Sequence, residues 1–303
     1  MNNCLLTITV LTYNSEKYIS EALNSLSIQE VNDVQLIISD DFSTDNTCGI
    51  IDSWVASNQG NFKEIIFLKS KLNLGVTKNK LKTIPLIKGE WVKGLAGDDL
   101  FHENAIKNIK KDILKYSNSK IIVGRVEIFG EKFDENGILP RKKIIKKIEK
   151  KIENQLIYLF EGYTYPAIAF LVRREVLLAE NTFDLNYKNM EDIPFHFKQL
   201  LKGNKFVFSD SIYIKYRKHT SNLSIAQQGQ IISEYQYQYH KILKDNALKY
   251  KSIKYSINSF WNMAFTKLIY FFGNKGWWCS LLDYLRRKLQ PKKIVNMLKS
   301  PFK

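Results

Sequence analysis

Apolar residues form four short runs within the first hundred positions, and most are followed by a segment of helical periodicity. The runs are β-branched and nearly continuous, which is typical of strands buried on both faces. They predict strands over 5–11, 34–39 and 64–69, and a fourth strand that leads into Asp98. Strands that alternate with helices at this spacing indicate βαβ units, an α/β fold and a mostly parallel sheet.

Capping residues predict where two of the intervening helices begin. Asn14 and Ser15 are candidate N-caps of the first helix, and Thr44 or Asp45 is a candidate for the second. Pro85 lies before Gly89 and is expected to end or kink a helix there.

Two pairs of adjacent aspartates stand at predicted strand ends, Asp40–Asp41 after the second and Asp98–Asp99 after the fourth. The carboxyl edge of such a sheet is where ligands bind. Adjacent carboxylates repel each other unless a cation or a proton lies between them. Oxygen ligands suit Mg²⁺ or Mn²⁺, usually shared with substrate phosphates. Because the chain has neither a G-x-G-x-x-G nor a phosphate-loop motif, we expect a metal and basic groups to bind phosphate.

The second half of the chain is more helical and more basic. Segment 141–160 places isoleucine and leucine on one predicted helix face and lysine on the other, which suits a solvated helix or an interfacial helix on anionic lipid. Strand patterns end near Ser224, and helical periodicity continues to the end. We therefore predict one α/β domain over 1–224 and a helical extension over 225–303.

Charge and cysteine content narrow the choice of partners and compartment. The 46 Lys and Arg exceed the 30 Asp and Glu, a net charge of +16 that favours anionic partners. Acidic strand ends repel phosphate unless a cation intervenes, so nucleic acid is not expected. Three scattered cysteines indicate a reducing compartment. Neither a signal peptide nor an apolar run of membrane-spanning length is found, which predicts a cytoplasmic protein, with peripheral attachment to the inner face of the cell membrane left open.

Short motifs in chain order resemble the nucleotide-sugar half of the family 2 glycosyltransferases: Val10–Asn14, Ile37–Asp45, Asn73–Gly75 with Asn79, Gly89–Trp91 and Gly97–Asp99. Phe183–Asp184, Glu191–Asp192 and Tyr216–Ser224 resemble the acceptor half. The resemblance covers roughly 5–224, with halves at about 1–105 and 106–224. It implies the GT-A fold, a Rossmann-like, mostly parallel mixed sheet flanked by helices, here with a C-terminal α-helical extension.

The resemblance implies inverting transfer of a sugar from a nucleotide-sugar donor, with a UDP-hexose or UDP-N-acetylhexosamine expected and GDP and dTDP not excluded. The acceptor would be a saccharide or a lipid-linked molecule in bacterial surface polysaccharide synthesis. The substrate-binding residues that it implies are Thr12, Tyr13, Asn14, Asp40, Asp41, Asn73, Gly75, Asn79, Asp98, Glu191 and Arg217.

The resemblance also assigns chemical roles. Asp192 would be the general base, and Asp99 with His219 would bind Mn²⁺ or Mg²⁺ to stabilise the leaving diphosphate. Many members carry a further aspartate two positions before the final pair, where this chain has Ala96.

Two alternatives stay open at this point. The chain could be a catalytically silent relative that binds nucleotide only, or a basic protein that binds nucleic acid or a membrane. Apolar and basic residues over 255–303 suit an anionic membrane surface, packing on the catalytic domain, or a homodimer formed through these helices.

Overall fold

The computed structural model describes residues 5–130, 137–187, 190–219, 230–250 and 252–291. The chain divides into two compact units, one of residues 1–159 with 163–219 and one of 160–162 with 220–303. The predicted domain boundary at 224/225 lies outside the described residues.

The first unit is built on a nine-stranded mixed sheet. Its strands are β1 (Leu6–Thr12), β2 (Val34–Asp40), β3 (Glu64–Lys69), β4 (Trp91–Ala96), β5 (Leu100–Phe101), β6 (Ile121–Phe129), β7 (Ile138–Leu139), β8 (Phe170–Arg173) and β9 (Val207–Arg217). Eight follow the order β3-β2-β1-β4-β8-β6-β9-β5, and β7 pairs with β6. Strands β1 to β4 pair in parallel, whereas β8 is antiparallel to both β4 and β6. The parallel half is the βαβ array that the apolar runs predict.

Helices cover the sheet and make up most of the second unit. The first unit contains α1 (Ile19–Ser27), α2 (Thr47–Asn58), α3 (Val76–Thr83), α4 (Ala105–Lys115), α5 (Lys142–Ile148), most of α6 (Ile152–Phe160), α7 (Arg174–Leu178) and α8 (Asp192–Leu201). The second contains α9 (Glu234–Lys249), α10 (Ile253–Phe271) and α11 (Gly276–Lys288). Among these described helices, none is both long enough and apolar enough to cross a membrane.

The first helix begins later than its predicted cap. Helix α1 starts at Ile19, and the Ser15 carbonyl accepts the N–H groups of Tyr18 and Ile19. Asn14 has a left-handed φ of 48°, and its side-chain oxygen accepts the N–H of Thr44 at 2.8 Å. The predicted N-cap is wrong because that amide joins two loops instead of capping a helix.

Segment 141–160 also differs from the prediction, because it forms two helices and not one. The apolar side chains of α5 and α6 face inward and are almost fully buried: Ile145, Ile148, Leu156 and Leu159. The apolar side of this segment therefore packs in the core and its lysines are exposed, so of the two interpretations the structure favours the solvated face.

Candidate functional site

The two aspartate pairs lie at one edge of the sheet because β2 and β4 are the parallel neighbours of β1. Thr12, the last residue of β1, is paired with Asp40 across β2. On the other side, Leu11 is paired with Ala96, and Asp98 and Asp99 follow directly. The edge therefore presents four carboxylates around the end of one central strand.

The first pair is held by hydrogen bonds from the chain itself. Asp40 accepts from the Thr12 hydroxyl at 2.8 Å and from both the N–H and the hydroxyl of Ser43. Asp41 accepts the N–H groups of Leu74 and Gly75 at 2.9 and 2.7 Å. Both carboxylates are buried. Together they fix the two loops that border the edge of the sheet.

Of the other residues predicted to bind the nucleotide sugar near this pair, Gly75 and Asn79 are buried and make structural contacts, whereas Tyr13 and Asn73 are exposed. The buried Asn79 amide exchanges two hydrogen bonds with Ser39, at 2.6 and 2.9 Å. Gly75 has a φ of 81°, which an L side chain rarely adopts, at the start of α3. Its N–H also contacts the Asn73 side chain at 3.2 Å. Tyr13 is 50% exposed, and Phe42, which follows Asp41 directly, is 46% exposed, so both offer accessible aromatic surface.

Arg217 and His219, at the end of β9, contact the second pair. The Arg217 N–H donates to Asp99 at 2.8 Å, and the Arg217 Nε donates to the Asp98 carbonyl at 2.8 Å. The His219 Nε2 lies 2.9 Å from a carboxylate oxygen of Asp98. The structure thus joins four residues that the sequence places far apart, and it sets His219 against Asp98 instead of Asp99.

Asp99 is only 1% exposed. Burial, and then the charge of Asp98, raise the pKa of Asp99 well above its ordinary value. Lys93 in β4 is fully buried as well, and burial lowers its pKa to about 7 although Asp99 acts in the opposite direction. The Lys93 ammonium donates to the carbonyls of Ile168 and Gly94. A buried acid with few donors is the kind of group that a bound cation would compensate.

Arg217 is itself fixed by residues that the sequence patterns did not identify. Its guanidinium donates to Glu21 of α1 at 2.5 Å and lies over the rings of Tyr18 and Phe129, 4.8 and 4.5 Å from their centroids. The Tyr18 ring also packs against His219 with the centroids 5.2 Å apart. These contacts hold the end of β9 against the aspartates.

Asp192 begins helix α8, next to Glu191. Burial, and then the Glu191 charge, raise the pKa of Asp192 to about 7. Lys80 of α3 forms an ion pair with Glu191 at 3.2 Å and lies over the ring of Phe183. Sequence reasoning did not identify Lys80 as a residue of the site, because a lysine in a short polar helix matches no motif.

One tyrosine shows that Asp192 and the second pair share an electrostatic environment. Burial raises the pKa of Tyr216, in β9, to about 12. Three carboxylates act in the same direction, those of Asp99, Asp98 and Asp192. The predicted base and the predicted metal-binding pair therefore lie near the same phenol.

A small pocket of about 60 Å³ adjoins Asp192. Lys80 and the buried His196 also line it, together with apolar side chains of β4, β8 and α8. Burial lowers the pKa of His196 to about 3, so its ring is neutral at physiological pH. The pocket gives the carboxyl of Asp192 a weakly polar surrounding.

The metal ligands that the second pair and His219 offer suit a cation only when substrate supplies further ligands. Within the described ranges, no group of three or more His, Cys, Asp or Glu side chains is arranged to hold a metal ion. Mg²⁺ and Mn²⁺ are often bound by one or two carboxylates together with water and substrate phosphates. Asp98 and Asp99 with the adjacent His219 fit such a shared site.

The sequence model of glycosyl transferase family 2 matches residues 7–178, more than half of the chain. The chain belongs to glycosyl transferase family 2. It is 29% identical over 191 residues to the dTDP-rhamnosyl transferase RfbG of Shigella flexneri, a match that covers 61% of each protein. The chain thus spans less than two thirds of that curated relative.

Solved structures of this fold superpose on most of the chain. TarS 1–349 of S. aureus in complex with UDP-GlcNAc superposes with a TM-score of 0.63 at 20% identity, over 86% of this chain and 73% of that one. The mannosyltransferase PcManGT of Pyrobaculum calidifontis, in complex with GDP-Man and Mn²⁺, gives 0.51 at 14% identity, over 87% and 64%. These likenesses confirm the predicted GT-A fold, a mixed sheet flanked by helices.

Proposed function

We propose that this family 2 protein transfers a sugar, with inversion, from a nucleoside-diphosphate sugar to a hydroxyl group of a saccharide or lipid-linked acceptor in surface polysaccharide synthesis. The observation that carries the proposal is the Asp192 carboxyl, with a pKa of about 7, which shares the electrostatic environment of Asp98 and Asp99. Family membership and the donors named for the relatives support the same reaction class.

Asp192 acts as the general base. Its carboxylate takes the proton of the acceptor hydroxyl while that oxygen attacks the anomeric carbon on the face opposite the diphosphate. The bond between the anomeric carbon and the diphosphate oxygen breaks, and the nucleoside diphosphate leaves with the electron pair. A base with a pKa near the working pH is well matched to this transfer, which typically contributes about 10²–10⁴-fold to the rate.

The remaining roles follow the residues already described. Asp99 and His219 are proposed to hold a divalent cation with help from Asp98, and that cation would supply charge neutralisation to the leaving diphosphate. Thr12, Tyr13, Asp40 and Asp41 border the nucleoside. Arg217 fixes the Asp99 carboxylate through its backbone N–H and the Asp98 carbonyl through its Nε.

The reaction class is tested by nucleotide release from a panel of UDP-, dTDP- and GDP-sugars with Mn²⁺ or Mg²⁺. We expect release from one nucleotide class, above the rate of a blank without enzyme. Release from none of the panel, combined with nucleotide binding by calorimetry, would favour the catalytically silent relative and contradict the proposal.

The Asp192→Asn variant tests the base. We expect turnover to fall by about 10²–10⁴-fold while the donor dissociation constant stays near that of the wild type. Glu175→Gln is the matched control, because Glu175 is an exposed acid in the first turn of α7 that pairs with Lys120. Near-normal turnover in Asp192→Asn would remove this residue from the role.

A further inference from the structure

Helix α10 in the second unit exposes an apolar stripe and buries several polar side chains. Its exposed residues follow helical spacing and are mostly apolar: Ile253, Ile257, Phe260, Ala264, Leu268 and Phe271. The two ends of this stripe, Ile253 and Phe271, are 78% and 82% exposed. The buried side is mixed: Asn258, Ser259, Asn262 and Thr266 are buried there together with Tyr255, Met263 and Ile269. An ordinary surface helix instead buries a mainly apolar side and exposes a polar one.

A hydrogen-bonded network holds α10 in this orientation. The Arg286 side chain of α11 donates to Asn262 at 3.1 Å and forms a largely buried ion pair with Asp283 at 2.7 Å. His240 of α9 contacts the Thr266 hydroxyl at 2.7 Å. Rolling the apolar stripe inward would break these contacts and strand buried polar groups, which is costly. The stripe is therefore a fixed feature of this unit.

Four aromatic residues extend the stripe at the turn between α10 and α11: Phe271, Phe272, Trp277 and Trp278, exposed by 82, 58, 64 and 60%. The two indole rings are stacked with their centroids 3.6 Å apart. Asn274 anchors the turn, since its side chain both donates to and accepts from the backbone of Ile232. Exposed aromatic rings on an anchored turn are characteristic of contact with a lipid interface.

The charge around this surface selects an anionic partner. Segment 253–288 contains six Lys and Arg and one acid, Asp283, which is already paired with Arg286 and Arg287. Lys254, Lys267 and Lys275 are exposed. A symmetric dimer would place the same cationic face against itself, at a cost in like-charge repulsion. An anionic bilayer gains from both the apolar stripe and the lysines.

We propose that the exposed stripe of α10 and the aromatic turn at 271–278 form a docking surface for an anionic lipid bilayer. The helix lies along the membrane plane, over about 28 Å at 1.5 Å per residue, and the turn inserts between head groups. One consequence rests on the proposed function: attachment through this surface would keep the enzyme at the membrane that carries lipid-linked acceptors.

The proposal is tested by flotation of the full chain with vesicles of phosphatidylcholine alone and with about one third phosphatidylglycerol. We expect binding to the anionic vesicles that weakens with salt. Binding should be at least about tenfold weaker in the triple variant Phe271→Ser, Trp277→Ser, Trp278→Ser. Ile28→Ser and Leu114→Ser are the controls, because these residues are 79% and 75% exposed in the other unit.

Quenching of tryptophan fluorescence by brominated lipid gives a reading that does not depend on a disruptive variant. We expect quenching in the wild type that is largely lost in Trp277→Phe, Trp278→Phe and kept in Trp54→Phe, since Trp54 is buried in the first unit.

No vesicle binding by the wild type, or unchanged binding by the triple variant, would overturn the proposal. A concentration-dependent dimer that the triple variant dissociates, without vesicle binding, would assign the surface to a second copy and overturn it as well. Because vesicle binding needs no sugar donor, its failure and a failure of the donor panel are independent results.

Discussion

The two aspartate pairs at the sheet edge follow neighbouring parallel strands, yet their surroundings differ. Asp40 and Asp41 accept hydrogen bonds from hydroxyl and backbone N–H groups of the loops they hold. Asp99 is equally buried but accepts one backbone N–H that the structure shows, from Arg217, and it lies beside the charge of Asp98. The first pair is compensated by several hydrogen bonds, whereas the nearby charges of Lys93 and Arg217 do not offset the burial of Asp99 and the charge of Asp98.

The two pairs share one sequence motif, but the first is suited to stabilising the fold and the second to binding a ligand. A carboxylate that accepts several donors stabilises the fold and has less capacity left for a ligand. A buried carboxylate with a raised pKa destabilises the folded state when it is ionised, and a bound ligand can offset this destabilisation. We therefore expect substitutions in the two pairs to have opposite signatures, stability for the first and activity for the second.

The largest effect should come from Asp99→Asn. Transfer is expected to fall by about a hundredfold or more, because charge on the leaving diphosphate is no longer stabilised. The free energy of unfolding should stay equal or rise, since asparagine can still accept the Arg217 N–H but carries no buried charge. The sign follows from the raised pKa: ionised Asp99 destabilises the fold, so the gain should grow with increasing pH.

Steady-state nucleotide release and thermal unfolding across pH measure the two parts of that prediction. Asp52→Asn is the control, as Asp52 is an exposed acid that pairs with Lys69 at 2.6 Å. Loss of both stability and activity in Asp99→Asn would make the two pairs alike and break the comparison.

Asp41→Ala should have the intermediate effect and the opposite signature. The N–H groups of Leu74 and Gly75 would lose their acceptor, which costs about 1–3 kcal/mol in the free energy of unfolding. Urea denaturation measures this cost, and calorimetry with UDP measures nucleotide affinity in parallel. Unchanged stability with abolished nucleotide binding would show that Asp41 acts only on substrate.

The smallest effect is a shift in pH dependence from Glu191→Gln. The rate should rise with pH through about 7 as Asp192 loses its proton. Glu191 raises the pKa of Asp192 and Lys80 lowers it. Removing the Glu191 charge should therefore move the midpoint of the kcat/KM profile to lower pH. Because the folded pKa of about 7 exceeds the ordinary value of 3.8, this group lowers the free energy of unfolding progressively as pH rises from about 4 to about 7, with no further loss above that, and the variant should relieve part of this cost.

The pH profile of Glu175→Gln serves as the reference for that shift, because Glu175 is an exposed acid with no proposed part in the reaction. A midpoint that does not move would mean that Glu191 has no influence on the titrating base, and the contrast would then rest on burial alone.

Much of the parallel half of the fold could be predicted because its signals are local. A continuous apolar run located β3 at Glu64–Lys69. Pro85 was expected to interrupt a helix, and α3 ends at Thr83, just before it. Each of these depends on residues within a few positions of one another.

The remainder depends on contacts that leave no local pattern. Glu21 and Tyr18 surround Arg217 because β9 joins the sheet beside them, which no short motif records. Helical periodicity over 255–303 could be predicted, but not that Phe260, Leu268 and Phe271 are exposed, because that depends on the polar contacts of α10 with α9 and α11.

The hydrogen bond between Arg217 and Asp99 also has a consequence for the order of folding. It joins residues 118 positions apart, and the ion pair from Arg217 to Glu21 joins residues 196 positions apart. Closing loops of this length is slow and entropically costly. During synthesis, the strands that carry Asp40 and Asp98 therefore emerge well before the segment that completes their surroundings. A growing chain can build half of the sheet, but it acquires a finished site only when β9 is in place.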